Sequence, residues 1–556
     1  MASTTLSTAR PSAGKPDKAT GPRNSSKTPW TGRLAQWVLG HRRVVMVAWL
    51  LVFAAGGAGA SHLTGRLQVN FALPGQPGYV TAQKIIGLWG NGGDTNPTIP
   101  VVTVPAGQTV QADAPAIARA FSELAARVPD VRVVDLANTG DSAFVTAHGT
   151  STFALMLTPY PKGFGGAVDP KKVAADLEAA LPGYKIGTTG LDQLESGGST
   201  KGPGVLLETL LGGLGALAVL AFVFASLLAL LPLLIAAVAI VSTLLVILGL
   251  TYVTDVSFIV QFLVSLIGLG VAIDYSLLLV TRWREQRDKG ASNEQAIVLA
   301  ASTAGRAVAL SGLTVAIGLL SLVVIPMPSM RSVGIGGMLI PVVSVAVVLT
   351  LLPALLGGVG TRMDWPHRRH ETTASRLWSK WAAVVVRRRV IGLATAVVIL
   401  VLLVIPIFGI KVGTNSLASL APTGSAHDEL TALVSDGVPA GVLTPIEVLT
   451  RSQDAVVIAH RLSAVPGIST VAVASGSTGT RGGFTDVIAV PSTPSLNNTT
   501  LQVVNAARTA VENEPGYVGM SGAGPGLEDF SHAVYGRFPL MFGVVALLTM
   551  LLLTLA

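Results

Sequence analysis

Long apolar runs and two extended polar stretches divide the chain very unevenly. Apolar runs of roughly 17–25 residues read as membrane-spanning helices. Eight occur, at 44–60, 206–226, 231–253, 258–281, 307–325, 333–356, 390–410 and 538–556. Short loops join spans two to six, which predicts a compact bundle over 205–356. The polar stretches, 61–204 and 411–537, are each large enough to be a domain. In the first, β-branched runs bounded by Gly and Pro predict strands at 99–104, 131–136, 142–147, 152–158 and 184–189. Periodic Ala/Leu/Val faces predict helices at 113–127 and 169–181. In the second, strands are predicted at 445–450, 469–474, 485–490 and 517–521, with helices at 454–464 and 499–513. Both stretches approximate β-α-β-β-α-β. The fold class is therefore a polytopic α-helical membrane protein with two extracytoplasmic α+β domains.

Basic residues give that pattern a direction. Arg33, Arg42 and Arg43 precede span one, within a basic tail over 1–43 whose first thirty residues read as disordered. Arg282, Arg284, Arg287, Lys289 and Arg306 lie between spans four and five. A basic linker over 357–389 separates spans six and seven. The opposite short loops, 254–257 and 326–332, carry only Arg331. Lys and Arg flanking spans mark the cytoplasmic side, so the N-terminus is expected inside and both domains outside. The net charge of +8 is then a topology signal, and no nucleic acid is implied. Ala58-Gly59-Ala60 has the form of a signal-peptidase site, but the long flank before it argues against cleavage.

Composition agrees with a bilayer and removes several chemistries. Half of the residues are hydrophobic and 12% are charged, against about 25% in soluble domains. With no Cys, disulfides, thiolate metal sites and Cys nucleophiles are excluded. His367 and His370 stand among Arg residues and are not expected to bind metal. No phosphate-cradling Gly-x4-Gly-Lys-[Ser/Thr] run occurs, so an ATP-driven mechanism lacks its site within this sequence. No nucleophile with its base is visible either, so the chain is read as a non-enzyme without a cofactor.

The pattern also repeats. Trp37 followed by Arg42-Arg43-Val44 returns as Trp381 followed by Arg388-Arg389-Val390. Val128-Pro129 returns as Val465-Pro466, and Pro182-Gly183-Tyr184 as Pro515-Gly516-Tyr517. The shared order predicts a tandem repeat, span then domain then span bundle, whose second unit reaches its second span by Ala556.

One charge stands out inside the bundle. Span four reads Gly268-Leu269-Gly270-Val271-Ala272-Ile273-Asp274-Tyr275-Ser276. An ionised Asp at the bilayer centre costs ~2.5–3.5 kcal/mol on insertion scales, which makes it a functional candidate. Desolvation favours its neutral form, and Tyr275 beside it offers a hydroxyl. Gly268 and Gly270 are expected to let neighbouring helices approach and keep lipid from the acid. Ser311 and Thr314 are candidate polar partners across the interface. The bland alternative is a helix-end Asp reaching to the interface, but Asp is short and Arg282 is the next charge along the chain.

Gly270-Val271-Ala272-Ile273-Asp274-Tyr275 with Arg282-Trp283-Arg284-Glu285 resembles the fourth transmembrane helix of MMPL transporters in the RND superfamily. Gly305-Arg306-Ala307-Val308 and Ser311-Gly312-Leu313-Thr314-Val315 resemble the opening of that family's fifth helix. The resemblance implies an RND-type tandem repeat of twelve spans, two extracytoplasmic porter domains and proton-motive-force coupling. It implies a second Asp-Tyr pair facing Asp274 and Tyr275, at a repeat-equivalent position near ~610. It also implies export of lipids, glycolipids or other amphiphiles, drugs included, from the inner membrane, and the high Ala/Gly/Val content fits a GC-rich bacterium such as an actinomycete. Protons and membrane lipids are its implied partners, with homo-oligomers or accessory proteins left open. The competing reading is an RND-like scaffold, sensor or inactive fragment in which Asp274 is structural.

Overall fold

The computed structural model describes residues 29–67, 73–160, 167–197, 205–224, 226–365, 376–406, 423–495 and 501–555. The first 28 residues of the expected tail, and His367 with His370, lie outside them. The chain is mostly helical. Among the described residues, six helices are long and apolar enough to cross a membrane: Arg42–Thr64, Leu227–Leu250, Ile259–Asp288, Asn293–Val324, Pro328–Met363 and Ala523–Leu552. Where spans two and seven were expected, the described residues hold shorter apolar helices, Thr209–Phe222 and Arg389–Val404. The second of these begins where expected, after a backbone break at Arg388 between two helical segments, and the end of that expected span, 407–410, lies outside the described residues.

Span five differs most from expectation. Its helix begins at Asn293, far ahead of 307, because Ser292 and Gln295 cap it reciprocally. The early turns are Ala-rich and bury Ala296, Ile297, Ala300 and Ala301 in the bundle core. At the same end, the Arg282-Trp283-Arg284-Glu285 run divides its labour by face. Trp283 is buried and its indole donates to Asn293 at 3.0 Å. Arg284 pairs with Asp364 at 3.0 Å, with both side chains under a tenth exposed. Arg282 and Glu285 pair with each other on the surface. The short helix Trp30–Gly40 lies against Asn293–Leu320 and Pro328–Leu355. Four tryptophans near this basic end, Trp30, Trp37, Trp365 and Trp381, are more than half exposed. Exposed Trp beside basic loops is the composition of a membrane–water interface.

The polar stretches form two α+β segments. In the first, β1 (Ile99–Thr103) pairs antiparallel with β3 (Ser151–Phe153) and β5 (Lys185–Thr189), while β2 (Arg132–Val134) pairs with β4 (Leu155–Leu157). Ala154 separates β3 from β4, and the bridge Thr98↔Met156 keeps the two small sheets contiguous. In the second, the order is β10 (Tyr517–Ser521), β6 (Ile446–Arg451), β9 (Phe484–Pro491), β7 (Ile468–Val473), with β8 (Thr480–Arg481) on β9. With β3 and β4 counted as one strand and the two-residue β8 left aside, each order runs fourth, first, third, second. The strand expected at 142–147 is instead a short 3₁₀ turn, Ser142–Phe144. Asp141 caps it by accepting from the Ala143 amide, and Phe144 turns into the core.

Each segment also lends a helix that the sequence reading missed. Pro77–Trp89, from the first segment, packs on β10 of the second. Ser425–Ser435, from the second, packs on β5 of the first. The contacts are mirror images. A Cβ on Gly519 of β10 would lie 2.0 Å from the Thr81 hydroxyl, and one on Gly187 of β5 would lie 2.4 Å from the Glu429 carboxyl carbon. Both strands therefore need a missing side chain where the exchanged helix crosses. Gly519→Val is expected to lower stability by about 1–3 kcal/mol through overpacking, read as earlier loss of hydrogen-exchange protection in β10 and Pro77–Trp89 together.

Candidate functional site

The site in the membrane is built on Ile259–Asp288 and Asn293–Leu320. Tyr275 is 5% exposed, and its hydroxyl lies 3.5 Å from Ser311 Oγ. Gly312, beside the ring, makes room for Val345: a Cβ there would clash with the Val345 side chain, while the Tyr275 ring, at 3.5 Å, would be in ordinary contact. Thr314 does not join this set, since its hydroxyl donates to its own helix at Leu310 O, 2.9 Å away. Hydroxyls in helices commonly bond back to the preceding turn. At the 3.5 Å limit the Tyr275–Ser311 contact is weak. Tyr275→Phe is accordingly expected to change thermal stability by only about 0.5 kcal/mol, read as an almost unshifted melting curve.

Asp274 faces the other way. It is exposed, and it lies on a stripe with Leu266, Gly270 and Leu278, all exposed. Residues four apart on a helix share a face, so the stripe runs along the whole middle of the span. The expectation of an acid shielded by two glycines is corrected here. Gly268 does pack closely, with Ile240 at 3.2 Å and Ile340 at 3.6 Å from a built Cβ, whereas nothing lies within 4 Å of Gly270. Two residues apart means about 200° around the helix, so one neighbour cannot cover both glycines.

A second ionic site, absent from the sequence reading, joins the two α+β segments. Arg132 of β2 donates from Nη2 to Glu447 Oε2 of β6 at 3.1 Å and to Asp486 Oδ2 of β9 at 2.6 Å. Its Nε donates to Asn91 at 3.1 Å and its Nη1 to the Thr478 carbonyl at 3.1 Å. Trp89 lies under the guanidinium, 4.7 Å from it. All three charged side chains are 4% exposed or less. Burial, then the neighbouring Asp486, pushes the Glu447 carboxyl well above its ordinary range. The Gly93 amide donates to its other oxygen at 2.7 Å. One cation thus faces two carboxyl groups, an arrangement that favours keeping a proton on the pair. A charged residue inside an apolar strand, as in Ile446-Glu447-Val448, was the available signal.

A third group lines a cavity of about 340 Å³ where the α+β segments meet the Ala523–Leu555 helix. Tyr79, Asp94, Glu195, Asp529 and Phe530 border it. Asp94 keeps an accessible edge, but the protein packed around it and then the charge of Asp529 raise it to about 6. Among the described residues, no cluster of His, Cys, Asp and Glu is arranged to hold a metal.

A family model described as the MMPL family matches residues 74–391. A membrane protein of Streptomyces coelicolor is 34% identical over 227 residues, 41% of this chain and 32% of that protein. The mycolic acid-containing lipids exporter MmpL11 of Mycolicibacterium smegmatis is 36% identical over 214 residues, 37% of this chain and 22% of that protein. The heme uptake protein MmpL11 of Mycobacterium tuberculosis is 31% identical over 331 residues, 55% of this chain and 34% of that protein. The chain spans about a third or less of the length of these relatives.

Proposed function

The chain belongs to the MMPL family, and from that premise we propose that it carries the proton-binding acid of a transporter moving lipids, glycolipids or other amphiphiles out of the plasma membrane. Asp274 carries this reading. A carboxyl set midway along an apolar, outward-facing stripe has no structural task within the bundle, and its charge is expensive there. Gaining a proton removes that expense; losing it restores the demand for a polar partner on the same face. That difference is a two-state bias of the kind that can rock one helix bundle against another. A potential of 100 mV supplies ~2.3 kcal/mol per charge, similar to the expense itself. Tyr275 lies on the buried side of the same span, its hydroxyl 3.5 Å from Ser311 of the next helix, so the proton-binding role falls to Asp274 alone and a relay through Tyr275 would need the helix to turn.

In this reading the α+β segments are porter domains on the outer side and the Arg- and Trp-rich end is cytoplasmic. Both named relatives handle amphiphiles, a mycolic acid-containing lipid in one and heme in the other, and differ in direction. The test reconstitutes the full-length protein in vesicles with a fluorescent lipid and an imposed pH gradient. Gradient-dependent export that stops on adding a protonophore is expected. Lipid movement indifferent to the gradient would remove the proton from the mechanism, and gradient-driven uptake would reverse the direction.

A further inference from the structure

A trough opens at the basic end of the bundle, between Trp30–Gly40, Asn293–Leu320 and Pro328–Leu355, with a volume of about 680 Å³. Its wall inside the membrane is aliphatic, formed by Ala309, Leu310, Leu313, Val342 and Val345. Arg33 and Arg306 stand at its mouth beside Trp30. The spacing on Asn293–Leu320 explains this gradient. Arg306, Ala309, Leu310 and Leu313 are three, four and seven apart and share one face. At 1.5 Å per residue, the apolar wall extends roughly 10 Å inward from the Arg306 guanidinium's own turn. Trp30–Gly40 closes the trough from the interface, held where Gly305 lets Thr31 approach within 3.6 Å of a built Cβ. Its Trp30 and Trp37 are both more than half exposed, as in a helix lying in the plane of the headgroups.

We propose that this trough holds one anionic phospholipid from the leaflet on the Arg-rich side, its phosphate against Arg33 and Arg306 and one acyl chain along Leu310 and Leu313. Charge complementarity selects the occupant. Two guanidiniums at the level of exposed Trp match a phosphate, and a wall without polar side chains below them matches a hydrocarbon tail. A zwitterionic lipid offers the same tail with a weaker net attraction. The deep end of the trough is Gly312, whose other side faces the Tyr275 ring. A seated tail therefore packs where Val345 approaches Gly312, one van der Waals contact from the Tyr275 ring.

The test needs no transport. Full-length protein is delipidated in detergent and titrated with phosphatidylglycerol, phosphatidylcholine or inorganic phosphate, with retained adducts counted by native mass spectrometry. Phosphatidylglycerol is expected to be retained preferentially. The Arg33→Gln/Arg306→Gln double variant should weaken it by about thirtyfold, the scale for two basic side chains at an anionic surface. Arg331→Gln, at the opposite end of the bundle, should leave it unchanged. Leu313→Trp, which fills the trough but keeps both guanidiniums, should lose the lipid while keeping its helical circular dichroism. Equal retention of phosphatidylcholine, equal binding by the double variant, or binding of inorganic phosphate alone would overturn the proposal. So would lipid binding that emerges only after deleting residues 1–28, since the trough's occupant would then be that segment of the chain.

Discussion

Asp274→Asn in the full-length protein is expected to abolish proton-dependent export while leaving insertion and folding intact. The amide has nearly the shape of the acid but can neither bind nor release a proton in the physiological range. The carboxyl makes no contact that holds the bundle together, because it points away from the core on the stripe with Gly270 and Leu278. Removing its charge is thus expected to shift thermal stability by no more than about 0.5 kcal/mol. Export should fall to the level of empty vesicles under an imposed pH gradient, with wild-type yield and melting temperature. Undiminished gradient-driven export by the variant would show that the proton binds elsewhere, and a large drop in melting temperature would make Asp274 a structural residue.

Arg132→Met is expected to have the largest effect on stability. Removing the guanidinium strands Glu447 and Asp486, buried to 2% and 0% exposure, without a cation. It also orphans the Asn91 and Thr478 oxygens that Arg132 satisfies. Breaking a buried ion pair in this way costs about 3–5 kcal/mol. The loss should concentrate in the α+β segments, since β2, β6 and β9 meet there, and hydrogen exchange would place it. A pH dependence accompanies it. The raised Glu447 carboxyl favours the folded state most when protonated, so this contribution is present at acid pH and lost as pH rises through the folded pKa. Without Arg132 that loss becomes steeper, and acid should partly rescue the variant. Asp486→Asn leaves one carboxyl opposite one guanidinium and should flatten the alkaline fall. Melting curves from about pH 5 to about pH 8 check both signs. An Arg132→Met protein as stable as its parent at neutral pH would mean that the segments are held by their shared apolar core alone.

Asp274 and Tyr275 were legible in the sequence, because an acid in an apolar run is anomalous wherever the helix points. Their opposite orientations were not. Which side of a span meets its neighbours depends on the angle at which the whole helix sits, and that is set by residues such as Ile240, Ile340 and Val345 on other helices. Ser311 and Thr314 looked equivalent from their spacing, yet only Ser311 reaches the Tyr275 hydroxyl.

The apolar runs, their basic flanks and most of the strands in both α+β segments follow from local chemistry, and the sequence by itself determined them, though not the helices Pro77–Trp89 and Ser425–Ser435 or the turn at Ser142–Phe144. Period and composition act within a turn or a strand, so a window of residues carries the whole signal. Tertiary structure alone decided what lies across long separations. It put Pro77–Trp89 on β10 and Ser425–Ser435 on β5, through Gly519 and Gly187. It brought Arg132 to Glu447 and Asp486, and it turned Asp274 outward while burying the ring beside it. These outcomes depend on which surfaces can bury each other without clash, a property of pairs of distant segments that neither segment carries alone.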